Sequence, residues 1–209
     1  MSDWLEIKKS ILERIKPSRA EEVTLKEVGG QVVEKINSIL KKSGIQGTAE
    51  IHGSVPHGTW VTGQMDLDIF VVLDTYRERR QLNEVLDALR EHTDWEFTEA
   101  WAEHPYFQTE IGGFNLDIVP CFRASIGDRI RSATDRSPLH TVWLKGRLNG
   151  LGDDVRILKQ FLKVTGIYGA EIKIGGFSGY LCELLVIKHG SFMRLMEAAS
   201  NWGEKVVLK

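Results

Sequence analysis

Apolar residues recur at helical spacing in the first forty residues of the chain. Between Trp4 and Ile15 they form one stripe, which Pro17 ends, and Val23 to Leu40 repeats the pattern. Gly44 follows the second stripe, and glycine readily adopts the left-handed conformation that closes many helices. The pattern therefore predicts two N-terminal helices, the second of which ends just before Gly44.

After position 46 the pattern becomes typical of strands. Thr48 to His52 predicts a short strand, and Met65 to Leu73 predicts a second whose last five residues are all apolar, as in a strand covered on both faces. Helical spacing returns from Tyr76 to Glu91. Further strands are indicated within Trp95 to Phe107 and from Gly113 to Phe122. This middle part of the chain therefore mixes strands with helix.

The last third of the chain predicts helices alone. A glycine-bearing polar stretch from Leu148 to Asp154 indicates a domain boundary, and an apolar stripe from Val155 to Leu162 follows it. Tyr180 to Met196 is apolar enough to predict one buried helix. We therefore predict an α+β fold, with a head of mixed sheet and flanking helices over residues 1–150 and a helical segment over 151–209.

Composition and net charge exclude few classes of protein. The 209 residues include 27 basic and 29 acidic side chains, for a net charge of −2, so the chain lacks the overall basicity of many nucleic-acid binders. An RNA partner would need a local basic surface, magnesium bridging to its phosphates, or segments outside this chain. The apolar stretches are too short for a membrane span and the N-terminus is charged, which predicts a cytoplasmic protein. Cys121 and Cys182 stand in apolar runs and are predicted to be buried free thiols.

The strongest chemical feature is Gly53-Ser54 followed by Asp66 and Asp68 at the start of the most apolar strand. Side chains two residues apart on a strand lie on the same face, so the two carboxylates are predicted to be neighbours. Magnesium prefers oxygen ligands and usually takes one or two protein carboxylates. A tight Gly-Ser turn also offers a hydroxyl and backbone N–H groups to a triphosphate.

A third carboxylate, Asp117, stands in the apolar strand from Gly113 to Phe122. If this strand pairs beside the one that carries Asp66 and Asp68, three carboxylates converge, as two magnesium ions about 3.5–4 Å apart would require. Without metal ions the three carboxylates would repel one another. The alternative is that these aspartates are turn or cap residues, because Asp-x-Asp is frequent by chance.

Several sequence blocks resemble those of archaeal class I CCA-adding enzymes, and the resemblance covers nearly the whole chain. The blocks are Gly53-Ser54 to Asp68, Ala102 to Tyr106, Leu116 to Cys121, Asp135 to His140, Gly166 to Glu171 and Gly175 to Leu185. The resemblance implies a polymerase-beta-like nucleotidyltransferase head followed by a helical neck. Family members continue beyond position 209 into body and tail domains, so the expected match is to head and neck only.

The resemblance also implies roles for individual residues. Asp66, Asp68 and Asp117 are expected to bind two Mg²⁺ ions, and Asp117 to help deprotonate the primer 3′ hydroxyl. Lys159 and Tyr168 are expected to contact nucleotide phosphate. The remaining expected nucleotide contacts are Gly53, Ser54, His57 and His140, and the expected RNA contacts are His104 and Tyr106.

Each of these residues also has a plainer interpretation. Without the family, Lys159 would be a surface lysine of a helix, Tyr168 a packing residue of a loop, and His140 a cap or core histidine. His104 lies in a block that also fits a simple strand turn. His57 stands three residues after the turn serine, where several family members carry arginine or lysine, and histidine cannot make their bidentate phosphate contact.

The expected reaction is CCA addition: transfer of CMP and AMP from CTP and ATP to the 3′ end of tRNA, with release of pyrophosphate. The expected partners are therefore CTP, ATP and the tRNA acceptor end, with no membrane, and the sequence offers no support for a homodimer. Two alternatives stay open. One is a nucleotidyltransferase of the poly(A) or second-messenger type, and the other is a nucleotide- or RNA-binding fragment with little turnover.

Overall fold

The computed structural model describes residues 2–64, 66–76, 78–125, 127, 130–170 and 173–207. Met65 and Arg77, which two of the predicted elements include, lie outside the described residues. The helices are α1 Ser2–Ile15, α2 Arg19–Lys42, α3 Ser54–His57, α4 Gln81–His92, α5 Arg136–Leu144, α6 Gly152–Val164, α7 Gly179–His189 and α8 Phe192–Ala199. The strands are β1 Gly47–His52, β2 Asp66–Leu73, β3 Thr98–Trp101, β4 Pro105–Ile111 and β5 Phe114–Phe122.

The two N-terminal helices are confirmed, and local chemistry explains the ends of α2. A capping box begins it: the Ser18 hydroxyl accepts a hydrogen bond from the Glu21 backbone N–H at 3.2 Å, and the Glu21 carboxylate accepts from the Ser18 N–H at 2.8 Å. Gly44, with φ of 69°, follows its last turn. The helix begins earlier than the apolar stripe at Val23 indicated, because capping is set by polar residues.

The five strands form one mixed sheet in the order β1-β2-β5-β4-β3. Strands β2 and β5 are parallel, and the other neighbouring pairs are antiparallel. Residues 69–73 of β2 are all buried, which confirms the prediction of a strand covered on both faces. The head is therefore α+β, as predicted.

Strand periodicity gives the sheet two different faces. One face is apolar and includes Leu67, Ile69 and Ile118, and Gly29 of α2 lies against Leu67 on this side. The other face is polar at the start of β2 and β5 and apolar further along, where Phe70, Val72, Val119 and Cys121 form a small cluster with Tyr106 packed on it. The candidate chemistry lies on this second face.

The chain divides into two compact units that are not continuous in sequence. One contains residues 17–56 and 63–143, and the other contains residues 1–16, 57–62 and 144–209. In the second unit, α1 packs against α6, and α6 also contacts α7 and α8. The boundary at residue 150 stays a prediction, and the grouping of α1 with the C-terminal helices is a feature that linear sequence patterns do not reveal.

Two helix predictions require correction, and one helix was not predicted. The single helix over Tyr180 to Met196 is wrong, because Gly190 adopts φ of 79° and ends α7, while the Ser191 hydroxyl caps α8. The helix predicted from Tyr76 begins only at Gln81, and α5 was not predicted. Leu144 is its only buried residue, whereas Val142 and Trp143 are exposed, so α5 carries little amphipathic signal.

Two remaining sequence predictions concern thiols and membranes. Cys121 and Cys182 are buried and free, as predicted, and burial raises the pKa of both thiols, to about 12 for Cys182. Within the part of the chain that the structure describes, no helix is both long and apolar enough to cross a bilayer.

Candidate active site

The predicted carboxylates lie in two adjacent rows on the polar face of the sheet. Asp68 of β2 is the direct register partner of Asp117 of β5, and Asp66 is paired with Asn115 one row away. Register partners on adjacent strands point to the same face. Convergence of the three carboxylates depends on the pairing of these two strands. That pairing is confirmed.

The row that contains Asp68 and Asp117 crosses the entire sheet. It is completed by His52, Gln108 and Thr98, one from each remaining strand. A cleft of about 1030 Å³ lies over this face and includes the three aspartates in its lining. The cleft also extends over residues 94–98 at the β3 edge, so it offers far more room than metal ions alone require.

Amide side chains hold two of the carboxylates. Gln108 Nε2 donates to Asp117 Oδ1 at 2.9 Å, and Asn115 Nδ2 donates to Asp66 Oδ1 at 3.2 Å. Among the described residues, no group of three or more His, Cys, Asp or Glu side chains is arranged to hold a metal ion as it stands. The backbone thus brings the carboxylates together, while their present rotamers direct two of them toward amides.

Burial and like charge act on Asp117. Burial raises the pKa of its carboxyl group, the hydrogen bond from Gln108 opposes that rise, and the nearby charge of Asp66 adds to it. The pKa of Tyr106 is also raised, by burial and then by the charge of Asp117. For both groups burial is the largest cause, and a neighbouring carboxylate adds to it.

Gly53 leaves the space that the Asp68 carboxylate occupies. It follows β1 with φ of 73°, and a Cβ built on it would overlap Asp68 Oδ2. A side chain is therefore excluded on two grounds, backbone conformation and steric overlap. Ser54, the next residue, is half-buried at the start of α3.

In the helical unit, Lys159 of α6 is only 3% exposed, so the interpretation of this residue as a surface lysine is wrong. Its Nζ donates to the carbonyl oxygen of Thr59 at 3.1 Å and to the hydroxyl oxygen of Thr59 at 3.3 Å. Burial lowers the pKa of the Lys159 ammonium, and the carboxylate of Glu183 opposes this effect. Lys159 is therefore a buried cation held by neighbouring oxygens.

Lys159 and Tyr168 meet at the N-terminus of α7. A Cβ built on Gly179, the first residue of α7, would lie 3.2 Å from Tyr168 Oη and 3.7 Å from Lys159 Nζ. Ser178 caps the helix by accepting from the Leu181 N–H at 3.1 Å. A helix N-terminus with an adjacent lysine and tyrosine hydroxyl has the chemistry of a phosphate-binding site.

The histidines occupy three different environments. His57 Nδ1 lies 3.1 Å from both carboxylate oxygens of Glu183, and His140 is half-buried on α5. His104 is 3% exposed, and its Nε2 lies 2.8 Å from Thr134 Oγ1. The phosphate and RNA contacts expected of these residues stay predictions, and in this structure His57 contacts Glu183 while His104 contacts Thr134.

Sequence reasoning missed four residues of these sites: Gln108, Asn115, Thr59 and Glu183. Two of them carried a usable signal. Asn115 stands two residues before Asp117, at the strand period. Glu183 is the single acidic residue within an apolar stretch, which indicates a buried and paired carboxylate. Gln108 and Thr59 could be recognised only through pairing that is distant in sequence.

Grouped carboxylates on neighbouring strands are an arrangement with which phosphoryl-transfer enzymes hold divalent cations. Comparison with known protein families supports this interpretation of the site. A model described as a nucleotidyltransferase domain matches residues 33–140, and one described as the second domain of tRNA nucleotidyltransferase matches residues 153–209. The chain belongs to the nucleotidyltransferase domain family.

Among curated proteins, the chain is similar to archaeal CCA-adding enzymes. It is 40% identical to that of Pyrobaculum aerophilum over 97% of this chain and 49% of the relative. It is 38% identical to that of Methanosarcina barkeri over 96% of this chain and 46% of the relative. The chain thus spans about half the length of these relatives.

Solved structures with low sequence identity share the fold. A cytoplasmic RNA terminal U-transferase matches with a TM-score of 0.67 and 17% identity, over 90% of this chain and 54% of the other. E. coli MS115-1 CdnC with ATP matches with a TM-score of 0.69 and 16% identity, over 92% and 69%. These similarities concern the fold alone.

Proposed function

We propose that this chain carries the catalytic site of an enzyme that transfers CMP and AMP from CTP and ATP to the 3′ end of tRNA. The observation that carries the proposal is the register pairing of Asp68 with Asp117 on the polar face, with Asp66 one row away. The named relatives are CCA-adding enzymes, and the match to a second domain of tRNA nucleotidyltransferase supports the same substrate class.

Nucleotidyltransferases of this family generally use divalent metal ions, and the donor set fits such ions. Three carboxylates supply the oxygen ligands that Mg²⁺ prefers, and all lie on one face in adjacent rows. The amides on Asp66 and Asp117 are single hydrogen bonds that side-chain rotation can exchange for a cation. We therefore assign Asp66, Asp68 and Asp117 to two Mg²⁺ ions, which when bound neutralise charge on the reacting phosphate.

Asp117 is the proposed proton acceptor. Its carboxylate lies beside Asp68 and on the same face as Asp66, so it stands where the primer hydroxyl would meet the nucleotide. The proton of the primer 3′ hydroxyl moves to the carboxylate as the oxygen forms a bond with the α-phosphorus. The bond from that phosphorus to the bridging oxygen breaks, and pyrophosphate leaves with the electron pair.

Lys159 and Tyr168 are the proposed phosphate contacts in the helical unit. Lys159 supplies positive charge and Tyr168 a hydroxyl donor. The start of α7 supplies the N–H of Gly179, since the N–H of Leu181 donates to Ser178. The contacts of Gly53, Ser54, His57 and His140 with the nucleotide stay predictions. Of the two proposed RNA contacts, Tyr106 lies near Asp117, whereas His104 Nε2 is within hydrogen-bond distance of Thr134 Oγ1.

Labelled nucleotide incorporation tests this function. The substrates are tRNAs that end at the discriminator base or after one or two cytidines, with CTP, ATP and Mg²⁺. We expect stepwise addition that completes CCA, and we expect Asp117→Asn to reduce the rate by about 10²- to 10⁴-fold, as loss of a general base does. Asp94→Asn is the control, because it removes a charge from the same cleft outside the two rows.

Other products would contradict specific parts of the proposal. Tailing of arbitrary RNA with ATP, or formation of a small dinucleotide, would contradict the assignment of tRNA as acceptor while keeping nucleotidyl transfer. Binding of CTP and ATP without any primer extension would contradict the enzymatic function of this chain. Full activity of Asp117→Asn would contradict the assigned site.

A further inference from the structure

Glu183 is a buried carboxylate that the proposed chemistry does not use. It lies on α7 between apolar neighbours, and the residue is only 2% exposed. A carboxylate is rarely buried unless other groups satisfy its charge and its hydrogen-bonding capacity. Its partners therefore indicate what it does.

Both oxygens of Glu183 are engaged by protein groups. The hydroxyl of Thr59 donates to Glu183 Oε1 at 2.6 Å, and His57 Nδ1 lies 3.1 Å from both oxygens. Thr59 is completely buried, and the His57 side chain is 7% exposed. This carboxylate is therefore occupied within the helical unit.

Thr59 connects Glu183 to Lys159. A hydroxyl has one proton to donate, and Thr59 gives it to Glu183, so the oxygen lone pairs remain to accept from Lys159 Nζ. The Thr59 carbonyl oxygen accepts a second bond from the same ammonium. The direction of each bond is thus fixed, from cation through hydroxyl to carboxylate, and such chains of hydrogen bonds strengthen one another.

We propose that Glu183 is a positioning residue that fixes Lys159, through Thr59, for contact with the nucleotide triphosphate. The inference rests on the proposed function, because it assigns Lys159 to phosphate. An ammonium has three N–H donors, and the two bonds to Thr59 determine the direction of the third. Lys159 Nζ is then held near Tyr168 Oη and the first residue of α7.

The test compares binding of Mg²⁺–ATP and of AMP by isothermal titration calorimetry. Glu183→Gln keeps the size of the side chain but replaces the charged acceptor of the 2.6 Å bond from Thr59 by a neutral amide, which weakens the bond that orients the Thr59 hydroxyl. We expect ATP affinity to fall about 10-fold, at the lower end of what the supporting partners of a binding group contribute. AMP affinity is expected to change less than about twofold, because AMP lacks the β- and γ-phosphates.

A double-mutant cycle separates positioning from general structural damage. If Glu183 acts through Lys159, then Glu183→Gln changes ATP affinity by less than about twofold when Lys159→Met is already present. Equal losses in both backgrounds would overturn the inference. Circular dichroism and thermal unfolding establish that each variant folds.

Thr59 provides a second pair of variants that does not alter Glu183. Thr59→Ser keeps both hydrogen bonds and is expected to keep wild-type ATP affinity, whereas Thr59→Ala removes the hydroxyl and is expected to lose affinity as Glu183→Gln does. Failure of the wild-type chain to bind Mg²⁺–ATP would contradict the proposed function as well. If the wild-type chain binds Mg²⁺–ATP and Glu183→Gln binds it with the same affinity, the positioning role of Glu183 is overturned while the proposed function stands.

Discussion

Gly53 and Asp68 are in direct contact: the glycine Cα lies against the aspartate carboxylate, and a Cβ at that position would overlap Oδ2. Gly53 also has a left-handed backbone, with φ of 73°. The turn after β1 therefore limits the positions available to one of the proposed metal ligands.

Gly53→Ala is expected to reduce nucleotide incorporation about 100-fold, because displacement of a catalytic group by about 1 Å has an effect of that size. The control is Gly63→Ala. Gly63 has the same φ of 73° but no neighbouring atom within 4 Å of its Cβ position. Both substitutions should cost stability by about 1 kcal/mol from backbone strain. Equal activity in the two variants would contradict a specific role of the contact with Asp68.

Gly179→Ala is expected to weaken triphosphate binding. The added methyl group would lie 3.2 Å from Tyr168 Oη, so the tyrosine hydroxyl must shift by a few tenths of an ångström. A shift at a phosphate contact should raise the Kd for Mg²⁺–ATP several-fold while leaving the thermal midpoint nearly unchanged, since alanine favours the helix. Unchanged ATP affinity in calorimetry would contradict the assignment of this helix end to phosphate.

Neighbouring glycines of α2 should respond in opposite ways to alanine. Gly30 has no atom within 4 Å of its Cβ position, so Gly30→Ala should raise the free energy of unfolding by about 0.5–1 kcal/mol. Gly29→Ala would place a methyl group 2.9 Å from Ile51 Cδ1, and overpacking of this kind costs about 1–3 kcal/mol. Urea unfolding measures both values. Similar stabilisation by the two substitutions would contradict the close packing of α2 on the sheet.

Asp153 is expected to stabilise the helical unit in a pH-dependent manner. Burial raises the pKa of its carboxyl group, but Lys16 at 2.9 Å and Arg156 at 2.6 Å outweigh burial, and the pKa is lowered below 3.8. A carboxyl group whose pKa is lowered by folding stabilises the folded state at pH values above its unfolded-state pKa. This stabilisation is lost as the pH falls through the folded-state pKa.

Asp153→Asn should therefore lower the free energy of unfolding at pH 7 by about 1 kcal/mol, because it leaves buried Arg156 with one partner fewer. The difference from wild type should shrink as the pH falls below 3.8. Chemical unfolding at several pH values measures this. A difference independent of pH would contradict the assigned ion pairs.

The sequence predicted most of the sheet-bearing unit, because its signals are local. The apolar run at the end of β2 and the stop at Gly44 both appear as predicted. The aspartates were proposed as metal ligands from their spacing and from the family resemblance, and that assignment stays a prediction. The parallel pairing of β2 with β5 places Asp68 beside Asp117. Because these strands lie far apart in sequence, the sequence could give their pairing only as a condition for the convergence of the carboxylates.

Errors arose where one residue or a distant contact decides the outcome. Gly190 divides a continuous apolar stretch into two helices, and apolar content alone gave no reason to expect that break. The plainer interpretation of Lys159 as a surface residue was wrong because its partner, Thr59, lies far away in sequence. Gln108 reaches Asp117 only because β4 and β5 pair in the observed register.

The central claim is that Asp66, Asp68 and Asp117 together bind divalent cations, and Fe²⁺-directed backbone cleavage tests it most directly. Fe²⁺ replaces Mg²⁺ at oxygen-rich sites, and with ascorbate and peroxide it cuts the chain next to the bound ion. We predict cuts near positions 66–68 and 117 that excess Mg²⁺ suppresses and that disappear when all three aspartates are changed to asparagine. Cuts confined to other segments, or an unchanged pattern in the triple variant, would contradict the account.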